Sequence, residues 1–172
     1  MKHFVLAVLL AALAAPSTQA QSTRKTPTAM KKYTRVPAGY LMVLRQGDSI
    51  LNEIETLAQV EKIPSATFSG MGFVNITFGF FDFKTRHYTP KEFRDVELAS
   101  MQGTIAWQKG KVSLHAHGVV TDKTFQAYGG HILKGAVGTG SVEILVTVHD
   151  QPLERVFEDA LGANVLSLEG TK

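Results

Sequence analysis

An α+β fold with a largely antiparallel sheet is what this sequence predicts, and three observations predict it. Runs of β-branched and aromatic residues follow one another from Ala66 to Val120, separated mainly by glycine-bearing breaks. Two stretches with apolar residues at helical spacing stand apart, one early and one late. The regular alternation of strand and helix that builds a parallel sheet is missing.

The 172-residue chain opens with MKHFVLAVLLAALAAPSTQA. A basic start at Lys2, an apolar run from Phe4 to Ala15 and a small residue at Ala20 have the layout of a secretory signal peptide, and the run is too short for a permanent span. Cleavage after Ala20 and a periplasmic or secreted mature protein are expected. The chain has no cysteine, which excludes disulfides, lipidation of an N-terminal Cys and thiol catalysis. About 150 residues remain, the size of one ordinary domain. The expected division is a signal peptide over 1–20, a basic flexible tail over 21–35, one domain over 36–169 and a C-terminal tail over 170–172. The net charge of +3 is mild, and much of the excess lies in Arg24, Lys25, Lys31, Lys32 and Arg35. Interleaved with Thr and Pro, these read as a solvated linker ahead of a nucleic-acid or lipid contact.

VPAGYLMVLRQG reads as a first strand, apolar on both faces, with Tyr40, Met42 and Leu44 on one and Leu41 and Val43 on the other. DSILNEIETLAQVEKIP then sets Ile50, Leu51, Ile54, Leu57 and Ala58 on one helical stripe, with Asp48 or Ser49 as cap and Pro64 limiting the far end. In ATFSGMGFVNITFGFFDF, Gly70 and Gly72 predict a bend or bulge between strand pieces. ELASMQGTIAWQKGKVSLHAHGVV reads as two strands joined by a hairpin at QKGK. SVEILVTVHD is a further strand after the glycine-rich GAVGTG. DQPLERVFEDALG has Pro152 in a first-turn position, Leu153, Val156, Phe157, Ala160 and Leu161 on one face and Gly162 as a stop, which predicts a shorter C-terminal helix. NVLSLEG closes the chain as a short strand.

Chemistry concentrates in SLHAHGVVTDKTFQAYGGHI, residues 113–132. Side chains two apart on a strand share a face, so His115 and His117 point together while Leu114, Ala116 and Gly118 take the opposite side. If VVTDKTFQAYGG is a hairpin-like excursion with a tight corner at Gly129-Gly130, His131 swings back beside the pair. Three imidazoles with a fourth position open are the donor set of catalytic zinc sites, and three unrelated surface histidines are the plainer alternative. Glu143 is a candidate acceptor for an imidazole N–H, against an exposed charge on its strand. His149 reads as a loop histidine, and His87 is assigned no role. No Walker-type phosphate loop or nucleophile elbow is present, and GAVGTG precedes a strand instead of opening a helix, which removes the dinucleotide reading. Phe73, Phe78, Phe80, Phe81 and Phe83 could stack bases, but such a cluster is more often core or subunit interface.

The order of these pieces, with the G-D-S-I-L helix start, Gly70-x-Gly72, His-x-His, Gly-Gly-His and then a strand carrying Glu143, resembles the PPC (plant and prokaryote conserved) domain family over about Val36 to Leu168. The same domain occurs in plant AT-hook nuclear proteins; this chain looks like a secreted, bacterial-type single-domain member. The resemblance implies a mostly antiparallel sheet carrying a helix, a homotrimer, and a divalent metal, zinc foremost, on His115, His117 and His131. A metal-binding protein with an unknown small-molecule or protein ligand follows from it, and metal-assisted hydrolysis or hydration if the site is catalytic. A DNA-binding regulatory module and a trimeric assembly domain with structural histidines are the alternatives. The expected export argues against the DNA module, and the basic tail lacks the Arg-Gly-Arg-Pro core of an AT-hook. Gly72-Phe73-Val74-Asn75-Ile76-Thr77 does not match the plant partner-contact hexapeptide.

Overall fold

The computed structural model describes residues 30–168, so the expected signal peptide, most of the basic tail and the C-terminal tail lie outside the described residues. In chain order the elements are β1 (Tyr33–Val36), β2 (Gly39–Arg45), α1 (Ile50–Val60), β3 (Ser65–Asp82), β4 (His87–Gln108), β5 (Lys111–Thr121), β6 (Ala127–His149), β7 (Glu154–Glu158) and β8 (Ala163–Ser167). They form one mixed eight-stranded sheet, antiparallel except where β7 meets β4 at Trp107 and Glu154. No described helix is long and apolar enough to cross a membrane.

The sheet order runs β1-β2-β6-β3-β4-β7-β8, and β5 lies off this path because it pairs with both β4 and β6. Since β3 pairs with β4 and with β6, strands β3, β4, β5 and β6 close into a ring of hydrogen bonds. Closure leaves β5 without a free edge along Glu97–Leu98 opposite Val120–Thr121, a region also zipped to Ala127–Tyr128. Long strands can turn this way only by bending. The Gly70-x-Gly72 step is such a place, with a register shift in the β3–β4 and β3–β6 ladders around it. Gly72 has φ +146°, and a Cβ there would stand 2.1 Å from the Ser141 carbonyl oxygen, so only glycine fits.

Strand alternation decides the core. Tyr40, Met42 and Leu44 of β2 are buried with Val142, Ile144 and Val146 of β6, whereas Leu41 and Leu145, which face each other across the same ladder, remain about 40% exposed. β2 therefore buries one face, not two. The helix covers this core with Ile50, Ile54, Leu57 and Ala58, and it lies against β5 and β6. Ser49 occupies the cap position without a side-chain bond, and Asp48 does not cap either. The Asp48 carboxylate instead accepts the Arg45 N–H at 2.8 Å and pairs with Lys32 at 2.8 Å, which holds its pKa below the usual value. Lys32 also reaches Glu53 at 2.5 Å, and Arg35 lies over the Tyr40 ring. Ordered structure thus begins before Val36, and two cations of the basic segment are engaged within the fold.

The hairpin at QKGK forms as expected, with Lys109 and Gly110 both at positive φ. The predicted corner at Gly129-Gly130 does not. Both glycines lie inside β6, opposite Val119 and Gly118, and neither has positive φ. The reversal comes earlier, where the Asp122 carboxylate accepts the N–H groups of Thr124 and Gln126 and Phe125 takes φ +63°. Glycine is needed at 129 for proximity: a Cβ there would meet the Gly118 carbonyl oxygen at 2.8 Å. GAVGTG likewise lies within β6.

The predicted C-terminal helix is a β-hairpin, β7 and β8, with Gly162 at positive φ in its turn. Tertiary pairing overrides the local helical stripe here. The β3–β4 ladder ends at Ala66 and Ile105, so β4 continues past its neighbour, and the Trp107 N–H donates to Leu153 O at 2.9 Å. The newly extended chain then pairs Glu154 with Trp107. The expected final strand is β8.

Gly103 tests the closeness of packing behind the ring. It faces Phe68 and Ala116, and a Cβ would fall 2.2 Å from Phe68 Cζ and 2.5 Å from the His115 carbonyl oxygen. Gly103→Ala is expected to destabilise the fold by about 1–3 kcal/mol in urea unfolding. An unchanged midpoint would show that Phe68 has room to move aside.

Candidate metal centre

Ring closure assembles the three histidines. On β5, Ala116, Gly118 and Val120 are buried, so His115 and His117 project from the opposite, outward face. His117 is directly opposite His131 in the β5–β6 ladder, and directly opposed residues of an antiparallel pair share a face. His131 is also paired with Gly79 of β3, so it stands where three strands of the ring meet.

The three rings form a nearly equilateral triangle, with centroids 5.1, 5.1 and 5.2 Å apart. Nε2 of His115 and Nε2 of His117 are 3.2 Å apart, and one ligand nitrogen from each of the three rings lies within 4.8 Å of the others. Zn–N bonds of about 2.0–2.1 Å at tetrahedral angles separate donor nitrogens by about 3.3 Å. The His115–His117 spacing is of that size. This is the sole His/Cys/Asp/Glu cluster of metal-ligand geometry among the described residues.

Glu143, the candidate outer acceptor, is exposed on β6 opposite Val43 and Met71, and among the described residues no hydrogen bond joins it to an imidazole. His87 begins β4 and His149 ends β6, both outside the cluster.

Two residues that sequence reasoning missed complete the site. Tyr88 stacks on His131 at 5.0 Å with 20° between the planes, and Phe81 packs on Tyr88. Arg155 is 94% buried and donates from a terminal guanidinium nitrogen to Thr104 Oγ1; Thr104 is the β4 partner of His115. Its Nε has no hydrogen-bond partner, and no carboxylate lies within ion-pairing distance among the described residues. Arg155 falls within the expected C-terminal helix, off its apolar stripe, and is assigned no role from the sequence. No local spacing marks Arg155, since Leu153-Glu154-Arg155-Val156-Phe157-Glu158 does not alternate, and its burial follows only from the tertiary pairing of β7.

The electrostatics favour the neutral form of two of the rings, His115 and His131. Desolvation, then the Arg155 charge and His117, lowers the His115 pKa. His131 is pushed down to about 4, first by desolvation and then by His115, His117 and Arg155. A neutral imidazole is the form that binds metal. A folded-state pKa near 4 against an ordinary 6.5 means that the unfolded chain takes up the proton more readily. The contribution of neutral His131 is therefore present above pH 6.5 and lost as pH falls toward 4. In chelator-treated protein, the His131 ring proton resonances are expected to titrate near pH 4 by NMR; a midpoint at 6.5 or above would contradict the desolvated environment.

Two cavities flank the rings. One, of about 440 Å³, lies over the sheet beside His115 and His117 and is walled by Thr67, Ser69, Gln102, Thr104 and Thr147. The other, of about 640 Å³, takes all three histidines and Arg155 as polar groups among the rings of Phe80, Phe81, Phe83, Tyr88 and Phe157. The phenylalanine concentration thus divides: Phe78 is buried core, while Phe80 and Phe83 are 77% and 65% exposed at this cavity.

Residues 31–150 match the Plants and Prokaryotes Conserved (PCC) domain. Among solved structures, the chain is similar to a "Putative DNA-binding protein" from Ralstonia eutropha JMP134, at 56% identity and TM-score 0.78 over 80% of this chain and 96% of that one. It is similar to a plant- and prokaryote-conserved (PPC) protein from Pyrococcus horikoshii, at 25% identity and TM-score 0.69 over 84% and 99% of the two chains. A metal-containing protein from Archaeoglobus fulgidus matches at 25% identity and TM-score 0.67 over 79% and 98%. No curated protein matches the chain.

Proposed function

The chain belongs to the Plants and Prokaryotes Conserved domain family, and from that premise we propose that it is an exported, trimeric protein that binds a divalent metal through His115, His117 and His131. The observation that carries this reading is the convergence of three ligand nitrogens within 4.8 Å on one outward face. The donor set consists of neutral nitrogens without thiolate or carboxylate, which suits zinc among the common biological ions. His115, His117 and His131 would hold the ion, and Tyr88, stacked on the His131 ring, would orient that imidazole. A metal so held would supply Lewis acidity, toward hydrolysis or hydration if the site is catalytic. The solved metal-containing relative from Archaeoglobus fulgidus supports the assignment.

The trimer rests on the family likeness and on the uncovered sheet face beside the histidines, where Leu41, Met71, Phe73, Val119 and Leu145 are 39–61% exposed. Export rests on the N-terminal apolar run. One preparation tests all three: mature protein starting at Gln21 by intact mass, a trimer by sedimentation, and about one zinc per chain by elemental analysis. His117→Ala is expected to remove most of the metal while the trimer persists. A zinc-reconstituted wild type that retains none would remove the metal assignment.

A DNA-binding reading has one observation in its favour, the description given to the Ralstonia eutropha relative. Against it stand the expected export and the engagement of Lys32 with Asp48 and Glu53, which leaves the basic segment fewer free charges. Phosphate contacts release counterions, so DNA binding would show an affinity falling steeply between 50 and 200 mM salt. Fluorescence anisotropy with duplex DNA is expected to show no such steep, saturable binding; its presence would favour the regulatory reading.

A further inference from the structure

We propose that the aromatic cavity beside the three histidines binds an organic carboxylate, with the Arg155 guanidinium as its anchor and the phenyl rings around its apolar body. Arg155 is a buried cation left without a counter-charge. It is 94% buried, its Nε is unpaired, and its one described side-chain partner, Thr104 Oγ1, is neutral. A desolvated guanidinium without a carboxylate is costly unless an anion arrives. The three imidazoles beside it supply no negative charge whether neutral or protonated, and none of the acidic side chains lines the cavity.

The metal reading sharpens this charge argument, and the proposal rests on it only in part. A divalent ion on the histidines would place two further positive charges next to Arg155, so an occupied site calls for an anion more strongly than an empty one. A guanidinium presents parallel N–H donors to the two oxygens of a carboxylate, and the single charge of Arg155 matches a single carboxylate.

The rest of the ligand is specified by the walls. Phe80, Phe81, Phe83, Tyr88 and Phe157 surround a volume of about 640 Å³, with Asn164 of β8 as a neutral polar group. Such a lining suits an aromatic or branched aliphatic body of modest size. Arg155, Phe157 and Asn164 come from the C-terminal hairpin, beyond the residues 31–150 that match the family domain. The hairpin therefore adds ligand selectivity to a histidine site carried by the matched domain.

The test uses the mature full-length chain, titrated calorimetrically with benzoate and with uncharged benzamide, both zinc-loaded and chelator-treated. Benzoate is expected to bind wild type in both states, more tightly with zinc, and benzamide to bind weakly throughout. Arg155→Met is expected to weaken benzoate about tenfold or more, the size of a lost charge-assisted contact, and Arg155→Lys to recover part of it. Zinc content and thermal midpoint are measured on each variant, and Arg155→Lys serves as the informative variant if Arg155→Met does not fold. Equal benzoate affinity in wild type and both variants, or no benzoate binding by zinc-loaded wild type at millimolar concentration, overturns the carboxylate site. Arg155-dependent benzoate binding by a protein that retains no zinc would uphold this site and overturn the metal assignment alone.

Discussion

The hydrogen-bonding of β5 on both edges is the constraint on which the rest of this structure depends. Without it, β4 and β6 would end as free edges and the His-x-His pair would stand alone on a surface strand. With it, His117 is opposite His131 and the β3–β4–β5–β6 ring is closed. The closeness of that join explains the glycines better than turn conformation does. Gly103, Gly118 and Gly129 all lie where a Cβ would press on a neighbouring backbone carbonyl at 2.5–3.1 Å. Hydrogen-bond geometry and the histidine triangle therefore have one origin.

A second consequence is electrostatic. The outward face of β5 would ordinarily be solvated, but the β7–β8 hairpin docks where β4 outruns β3 and brings Arg155 to Thr104 beside the imidazoles. Burial and that positive charge act in the same direction on His115 and His131, toward the neutral form. The arrangement lowers proton affinity while keeping lone pairs available, which suits metal coordination. The same unpaired cation makes the aromatic cavity attractive to an anion, so the metal and ligand readings share one charge distribution.

Local features were legible in the sequence where one element decides them. The shared direction of His115 and His117 follows from strand alternation alone, as does the buried stripe of Ile50, Ile54, Leu57 and Ala58 from helical spacing. The β-bulge at Gly70-x-Gly72 and the turn at Lys109-Gly110 were visible for the same reason. His131 was placed beside the pair correctly, though for the wrong cause: Asp122 and Phe125 turn the chain, and Gly129-Gly130 accommodates the approach. The helical cap at Asp48 failed because Lys32 and the Arg45 N–H compete for the carboxylate from outside the helix.

The sequence by itself determined a largely antiparallel sheet with one main helix, most of the strands and the shared facing of His115 and His117, because these depend on periodicity within a few residues. Only the tertiary structure decided that residues 154–158 form a strand, since the vacated edge of β4 lies 47 positions earlier in the chain, from Trp107 to Glu154. It alone decided that Arg155 is buried beside His115 and that Tyr88 stacks on His131. Local spacing carries no information about which distant edge is free. Unsatisfied backbone groups on that edge, and not the helical stripe of Leu153, Val156 and Phe157, set the final conformation.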